Sequence, residues 1–339
     1  RGFRANARPR VAGYPECRGR YSSERIMIWR VVYMGTAEIA CPPLRVLAGM
    51  PEIELAAVYT QPDRPRGRGH SVRFSPVKKL ALDKRVPVLQ PESLKTVSAV
   101  EELSALKPDV LVVMAYGQIL PQQILDLPPR GAVNLHTSLL PRHRGASPIQ
   151  QAILAGDSET GVTLMQMESG LDTGPMIAKA RIPIGDDDTA ASIHDQLAQL
   201  SATLIRDRLA DYLTGDLPVT PQDHGAATYA GKIFKSDGQI HWHQTAEVIA
   251  RQIRAFTPWP GTYAHLPTTQ KSLLKILRAQ IAEGSGTPGQ VLPNQSGQFE
   301  VATGQGSLIF TSIQREGGRP MSGADFLNGC SLPPGAVLK

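Results

Sequence analysis

Ile28-Trp29-Arg30-Val31-Val32-Tyr33-Met34, ending in Gly35-Thr36, reads as a short β-branched and aromatic strand that runs directly into a turn. A helical stretch through Leu44-Arg45-Val46-Leu47 follows, and then a second largely apolar strand from Leu55 to Thr60. Strand, helix and strand in that order, with little polar alternation, predict the opening of a parallel sheet covered on both faces. Working outward, Val110 to Met114 and Ala132 to Leu135 are further runs of this kind. Val162 to Met167 and Ile177 to Ile184 can add two more strands. Asp188 or Thr189 can cap a long helix reaching about Tyr212, with Ile193, Leu197, Leu200, Leu204 and Ile205 at helical spacing. The alternation predicts a Rossmann-like, doubly wound α/β fold. Met34-Gly35-Thr36-Ala37-Glu38 lacks the second and third glycines of a dinucleotide fingerprint, which disfavours a nicotinamide cofactor.

The texture changes after residue 213. Residues 214 to 231 are rich in Gly, Pro, Thr and Asp and read as a linker. Beyond them come a helix from Ala246 to Ala255 and short β-like runs at Leu273 to Leu277, Gly289 to Leu292, Phe299 to Ala302 and Ser307 to Ile313. Gly-rich turns separate these runs, a pattern that predicts a small β-barrel. His241-Trp242-His243 is read as a strand rather than a metal site. The expected organisation is a catalytic domain over 27–213, a linker over 214–231 and a barrel over 232–339.

Composition narrows the class. The chain has 339 residues, 41% hydrophobic and 19% charged, as in an ordinary soluble enzyme of two domains. No stretch approaches the roughly 18–20 consecutive apolar residues of a membrane-spanning helix. Cys17, Cys41 and Cys330 are too far apart for a disulfide framework or a thiolate metal site, and a cytoplasmic location is expected. The net charge of +6 lies entirely in residues 1–30, which hold eight Arg against two Glu. The rest is balanced, so global charge says nothing about partners. Residues 1–26 show no apolar periodicity and are expected to be a disordered basic extension outside the fold, with an organelle transit peptide as the alternative.

The chemistry concentrates in Asn134-Leu135-His136-Thr137-Ser138-Leu139-Leu140-Pro141 and, some thirty residues on, Leu171-Asp172-Thr173-Gly174. Singly, a His near a Pro turn or an Asp before Thr-Gly is an ordinary turn feature. Together they offer an amide to donate to an oxyanion, an imidazole to move a proton and a carboxylate to orient it. Acyl transfer to an amine needs those three roles and no metal.

These motifs resemble the methionyl-tRNA formyltransferase family, within the folate-dependent formyltransferases, over nearly all of 27–339. The resemblance extends to Thr60-Gln-Pro-Asp-Arg-Pro-Arg-Gly-Arg-Gly69, Ser75-Pro-Val-Lys78, Ala115-Tyr-Gly-Gln-Ile-Leu-Pro121, Arg142-x-Arg144-Gly-Ala-x-Pro148-Ile-Gln150 and Arg254-Ala-Phe-Thr-Pro-Trp-Pro260. It implies a formyltransferase domain followed by an OB-like barrel, 10-formyltetrahydrofolate as formyl donor, initiator Met-tRNA as acceptor, no metal and a monomer. Asn134, His136 and Asp172 would be catalytic. Ser138, Leu139, Leu140, Pro141, Tyr116 and Gly117 would shape the folate pocket. Arg64, Arg66, Arg68 and Lys78 in the basic loop, and Arg319 in the barrel, would meet the tRNA. Where many relatives carry paired lysines after the loop glycine, this chain has His70-Ser71, so fewer phosphate contacts are expected.

Overall fold

The computed structural model describes residues 27–66, 71–267, 273–293, 297–330, 332–333 and 335–339. The readings placed on residues 1–26 and on Arg68 lie outside them, as does the side chain of Arg66.

The first half runs β1 (Trp29–Gly35), α1 (Cys41–Leu47), β2 (Ile53–Tyr59), β3 (Arg64–Arg66), β4 (Ser71–Arg73), α2 (Pro76–Asp83), β5 (Val88–Leu89), α3 (Val97–Ala105), β6 (Val110–Met114), α4 (Gln122–Leu125), β7 (Ala132–His136), β8 (Arg144–Gly145), α5 (Pro148–Ala155), β9 (Glu159–Gln166), β10 (Met176–Pro183) and α6 (Ala190–Thr214). A seven-stranded sheet in the order β10-β9-β7-β6-β1-β2-β5 forms its centre. The five strands from β7 to β5 are parallel, whereas β9 lies antiparallel to both β7 and β10. The two strands at that end therefore form a hairpin and need no crossover helix.

Each face of the sheet has its own core. Val31, Tyr33, Val112, Val133 and Leu135 pack against α1 and α6. Val32, Met34, Leu111, Val113 and Ala132 pack on the other side with Leu103 of α3 and Ile124 of α4. The alternation of β7 thus sends Val133 and Leu135 one way and Asn134 and His136 the other. Helix α6 starts in a capping box between Thr189 and Ser192 and buries Ile193, Leu197, Ile205 and Leu209 completely. Burial of each such side chain is worth roughly 1.5–3 kcal/mol. No helix of the described residues is long and apolar enough to cross a membrane.

The second half holds β11 (Tyr229–Ala230), α7 (Ala246–Ala255), β12 (Thr262–His265), β13 (Leu273–Ala282), β14 (Glu300–Ala302), β15 (Ser307–Arg315), β16 (Pro320–Met321) and α8 (Gly323–Gly329). Strands β12 to β16 form an antiparallel, curled sheet around Phe299, Phe310 and Phe326. The His241-Trp242-His243 segment is a turn closed by the Gln244 N–H on the His241 carbonyl (3.0 Å), not the strand expected. Trp242 fills the core there, and the demands of that packing override local β propensity. Helix α7 joins the two cores, with Ile249 and Ile253 in the second and Ala255 in the first. Arg251 donates to the Leu154 carbonyl (3.2 Å) and Arg254 to the Asp188 carbonyl (2.9 Å).

Candidate active site

The sheet order reverses between β1 and β6, and the crevice outside the carboxyl ends of such a strand pair is where α/β sheets bind ligands. Its floor is tied together by hydroxyl and amide groups. Thr36 Oγ1 donates to the Tyr116 carbonyl (2.7 Å), and the Gln61 side chain donates to the same oxygen (3.3 Å). Gly117 turns there in a left-handed conformation (φ 88°). The Tyr116 ring points away from the crevice into the core, and burial pushes its phenol up to about 12. Tyr116 therefore meets Thr36 and Gln61 through its backbone carbonyl.

Strand β7 ends in this region with Asn134 and His136 on one face. The Asn134 side chain is partly exposed and makes no hydrogen bond among the described residues. His136 is 6% exposed and held by a hydrogen bond at one nitrogen. Nε2 lies 3.0 Å from the His143 carbonyl oxygen, and Nδ1 lies 3.6 Å from Asp172 Oδ2. A carbonyl only accepts, so Nε2 carries the hydrogen and Nδ1 is left to face the carboxylate. Asp172 occupies the left-handed region (φ 50°), a strain of about 1–3 kcal/mol for a residue with a side chain. The Gly145 N–H meets the same Oδ2 at 2.8 Å and holds the carboxylate in place.

The loop after His136 folds on itself. Ser138 Oγ donates to the Arg142 carbonyl (2.6 Å), while Thr163 Oγ1 donates to the Ser138 carbonyl (2.7 Å) and accepts from Leu140 N (3.2 Å). Leu140 is fully buried against Met165 and Met176, and Leu139 is half-buried. Pro141 follows a cis peptide and is half-buried. Beneath the loop, Lys179 donates to the Leu140 carbonyl; burial, and then the charge of Arg181, lower its pKa.

His143 also lies in the left-handed region (φ 58°), which turns its carbonyl toward His136. Its side chain is anchored by Nε2 on Asp157 Oδ2 (2.6 Å), and its N–H by Thr228 Oγ1 (2.8 Å). Asp157 also receives Arg142 (2.5 Å). The 214–231 segment runs along this loop: β11 pairs with β8 in parallel, and Thr228 N–H reaches the Pro141 carbonyl (3.3 Å). Gly145 (φ 118°) admits it, since a Cβ there would stand 2.5 Å from the Ala230 carbonyl oxygen.

The basic segment continues from Gln61, whose carbonyl accepts from Gln90 Nε2 (2.9 Å). β3 and β4 form a two-stranded ribbon whose Arg64 and Arg73 are exposed. Lys78 faces inward, paired with Asp63 and donating to Gln90 Oε1 (2.7 Å), with its ammonium 4.0 Å from the Phe74 ring centre. It braces the ribbon rather than presenting a free charge. Arg319 is exposed in the turn between β15 and β16, whereas neighbouring Arg315 lies over the Phe326 ring. Sequence reasoning singled out Asn134, His136 and Asp172 but missed His143 and Thr163. A polar Thr163 inside an apolar strand was the one local signal.

Comparisons with known proteins follow the same outline. The formyl transferase family matches residues 45–209, and the formyl transferase C-terminal domain matches residues 232–331. Among solved structures, an N-formyltransferase from Helicobacter canadensis, in complex with folinic acid and dTDP-3-aminofucose, superposes with a TM-score of 0.61. It is 20% identical, over 84% of this chain and 99% of that one, a likeness of fold. Methionyl-tRNA formyltransferase of Citrifermentans bemidjiense is 46% identical over 91% of this chain and 96% of its own length. The Pseudomonas paraeruginosa enzyme of that name is 48% identical over 88% of this chain and 95% of its length, and that of Myxococcus xanthus 48% over 91% and 97%. Identity of this order runs through both halves of the molecule, and the chain belongs to the methionyl-tRNA formyltransferase family.

Proposed function

We propose that this chain transfers the formyl group of 10-formyltetrahydrofolate to the α-amine of methionine on initiator Met-tRNA. The observation that carries the reading is that Asn134 and His136 share one face of β7, with the Asp172 carboxylate 3.6 Å from His136 Nδ1, in a chain of that family. The α-amine has an ordinary pKa of about 7.7–8.0, so a neutral, nucleophilic fraction exists near pH 7. As it attacks the formyl carbon, negative charge grows on the formyl oxygen, and the Asn134 amide is the donor for it. The amine must also lose a proton. With Nε2 committed to the His143 carbonyl, His136 takes up that proton at Nδ1, where Asp172 stabilises the resulting imidazolium. The proton then passes to the folate nitrogen that leaves.

Ile119, two residues past the Gly117 turn, and Leu171, next to Asp172, are 81% and 61% exposed, apolar surface close in sequence to the site that suits a partly apolar donor. The acceptor end of the tRNA is expected along the β3–β4 ribbon, with Arg64 on its exposed side and Arg319 in a supporting position on the barrel. The test is to supply the donor with initiator and elongator Met-tRNA and to follow formyl-methionine after mild base hydrolysis. Formylation of the initiator alone supports the reading. Free formate without formyl-methionine, or transfer only to an amino-sugar nucleotide, overturns it.

A further inference from the structure

We infer that Gln222, in the segment between the two domains, is a positioning residue for formyl transfer: it holds the backbone of Asp172 so that its carboxylate faces His136. The inference rests on the functional reading above. Gln222 is 5% exposed and uses every polar atom of its side chain. Its Nε2 donates to the carbonyls of Asp172 (2.8 Å) and Gly174 (2.7 Å), the two residues that flank Thr173. Its Oε1 accepts from Arg144 at Nε (3.1 Å) and Nη2 (2.7 Å).

Arg144 is itself buried, and it immediately precedes Gly145, whose N–H holds the Asp172 carboxylate. One amide thus clamps two loops: it grips the main chain of the acid on one side and the strand that orients that acid on the other. The main chain of Asp172 is in the left-handed region, a conformation that persists only where its surroundings impose it. Gln222 supplies the two hydrogen bonds that impose it from behind. The neighbouring Thr220 makes a reciprocal backbone pair with Met176 (2.8 Å each way), so Gln222 enters the site at a fixed register.

The discriminating variant is Gln222→Glu, nearly isosteric, which keeps an acceptor for Arg144 but turns the donor to both carbonyls into a second acceptor. If Gln222 positions Asp172, kcat falls by about tenfold or more while KM for donor and tRNA stays within about twofold. In an Asp172→Asn background the same change then costs less than about twofold, because the group it positions is already gone. A wild-type kcat, or an equal loss in both backgrounds, overturns the proposal. Gln222→Met, which adds no charge, repeats the test if the glutamate variant folds poorly. Should the native chain formylate nothing, the functional reading fails separately. Amide exchange at Gly145 still decides the positional claim: about tenfold faster in the variant if Gln222 acts as stated, unchanged if it does not.

Discussion

Asp172 Oδ2 stands 3.6 Å from Nδ1 of His136, while the other imidazole nitrogen is spent on a backbone carbonyl 3.0 Å away. The division of labour within the ring is therefore set by main chain, and the carboxylate addresses only the nitrogen free to exchange a proton. His136→Ala removes that exchange. We expect kcat to fall by about 10²–10⁴-fold, with folate affinity kept within about tenfold. Single-turnover formyl transfer and a binding titration check the two halves, and wild-type turnover would remove His136 from the chemistry.

Asn134 lies two residues earlier on the same strand face, and its amide has no hydrogen bond among the described residues. Asn134→Ala should lower kcat by about 10²–10³-fold, the loss seen when one preorganised oxyanion donor is removed. KM values should change little. A mainly KM effect would assign Asn134 to binding.

Gly145 combines φ 118° with a close approach to the Ala230 carbonyl. Gly145→Ala should cost about 2 kcal/mol or more of stability, since both the conformation and the contact resist a side chain. Urea unfolding measures it. Formyl transfer should fall further than stability does, because the Gly145 N–H orients Asp172.

Much of this was legible in sequence, for identifiable reasons. The run Val110–Met114 is uninterrupted and became β6 residue for residue; Ala246–Ala255 has a Thr245 cap and became α7. The chemistry of Asn134 and His136 was legible because both lie on one short strand. What stayed hidden depends on contacts between distant segments. The β8–β11 pair joins residues some 85 positions apart and consists of two residues on each side, too short for any periodicity. Gln222 sits in a Gly- and Pro-rich stretch that nothing local distinguishes from solvent-exposed loop. For Lys78, which the resemblance sets against the tRNA, the sequence does not show its pairing with Asp63 and Gln90.

That half-buried brace makes the ribbon sensitive to acid. Burial raises the Asp63 carboxyl, but hydrogen bonds from Lys78 and Gln90 and the Lys78 charge outweigh it and hold it below its ordinary value. A carboxyl depressed in the folded state contributes stability above its unfolded pKa of about 3.9, and loses it as pH falls through the folded value. Asp63→Asn should therefore speed amide exchange over β3 and β4 at neutral pH. The gap between variant and native chain should close below about pH 3.9. A gap independent of pH would assign it to packing.

Cys41 should be inert. Burial first, then the nearby Glu38 against a weaker opposing pull from Arg45, raises its thiol to about 11. At pH 8 that leaves roughly one thiolate in a thousand, against about a quarter for an ordinary thiol. Iodoacetamide should leave Cys41 unlabelled in the native chain and modify it after unfolding, read by peptide mass. Rapid native labelling would place it at the surface.

The ladder between β8 and β11 bears on how this molecule could be recombined. Residues 220–230 follow the catalytic sheet in sequence but lie against its working loops, through Thr220, Gln222, Thr228 and Ala230. A chimaera spliced straight after α6 would carry a foreign stretch into the acid's support. Moving the splice to Gly231–Lys232, where the second family match begins, keeps that stretch with its own catalytic half. The useful seam for exchanging the second half thus lies about seventeen residues beyond the place where the helix ends.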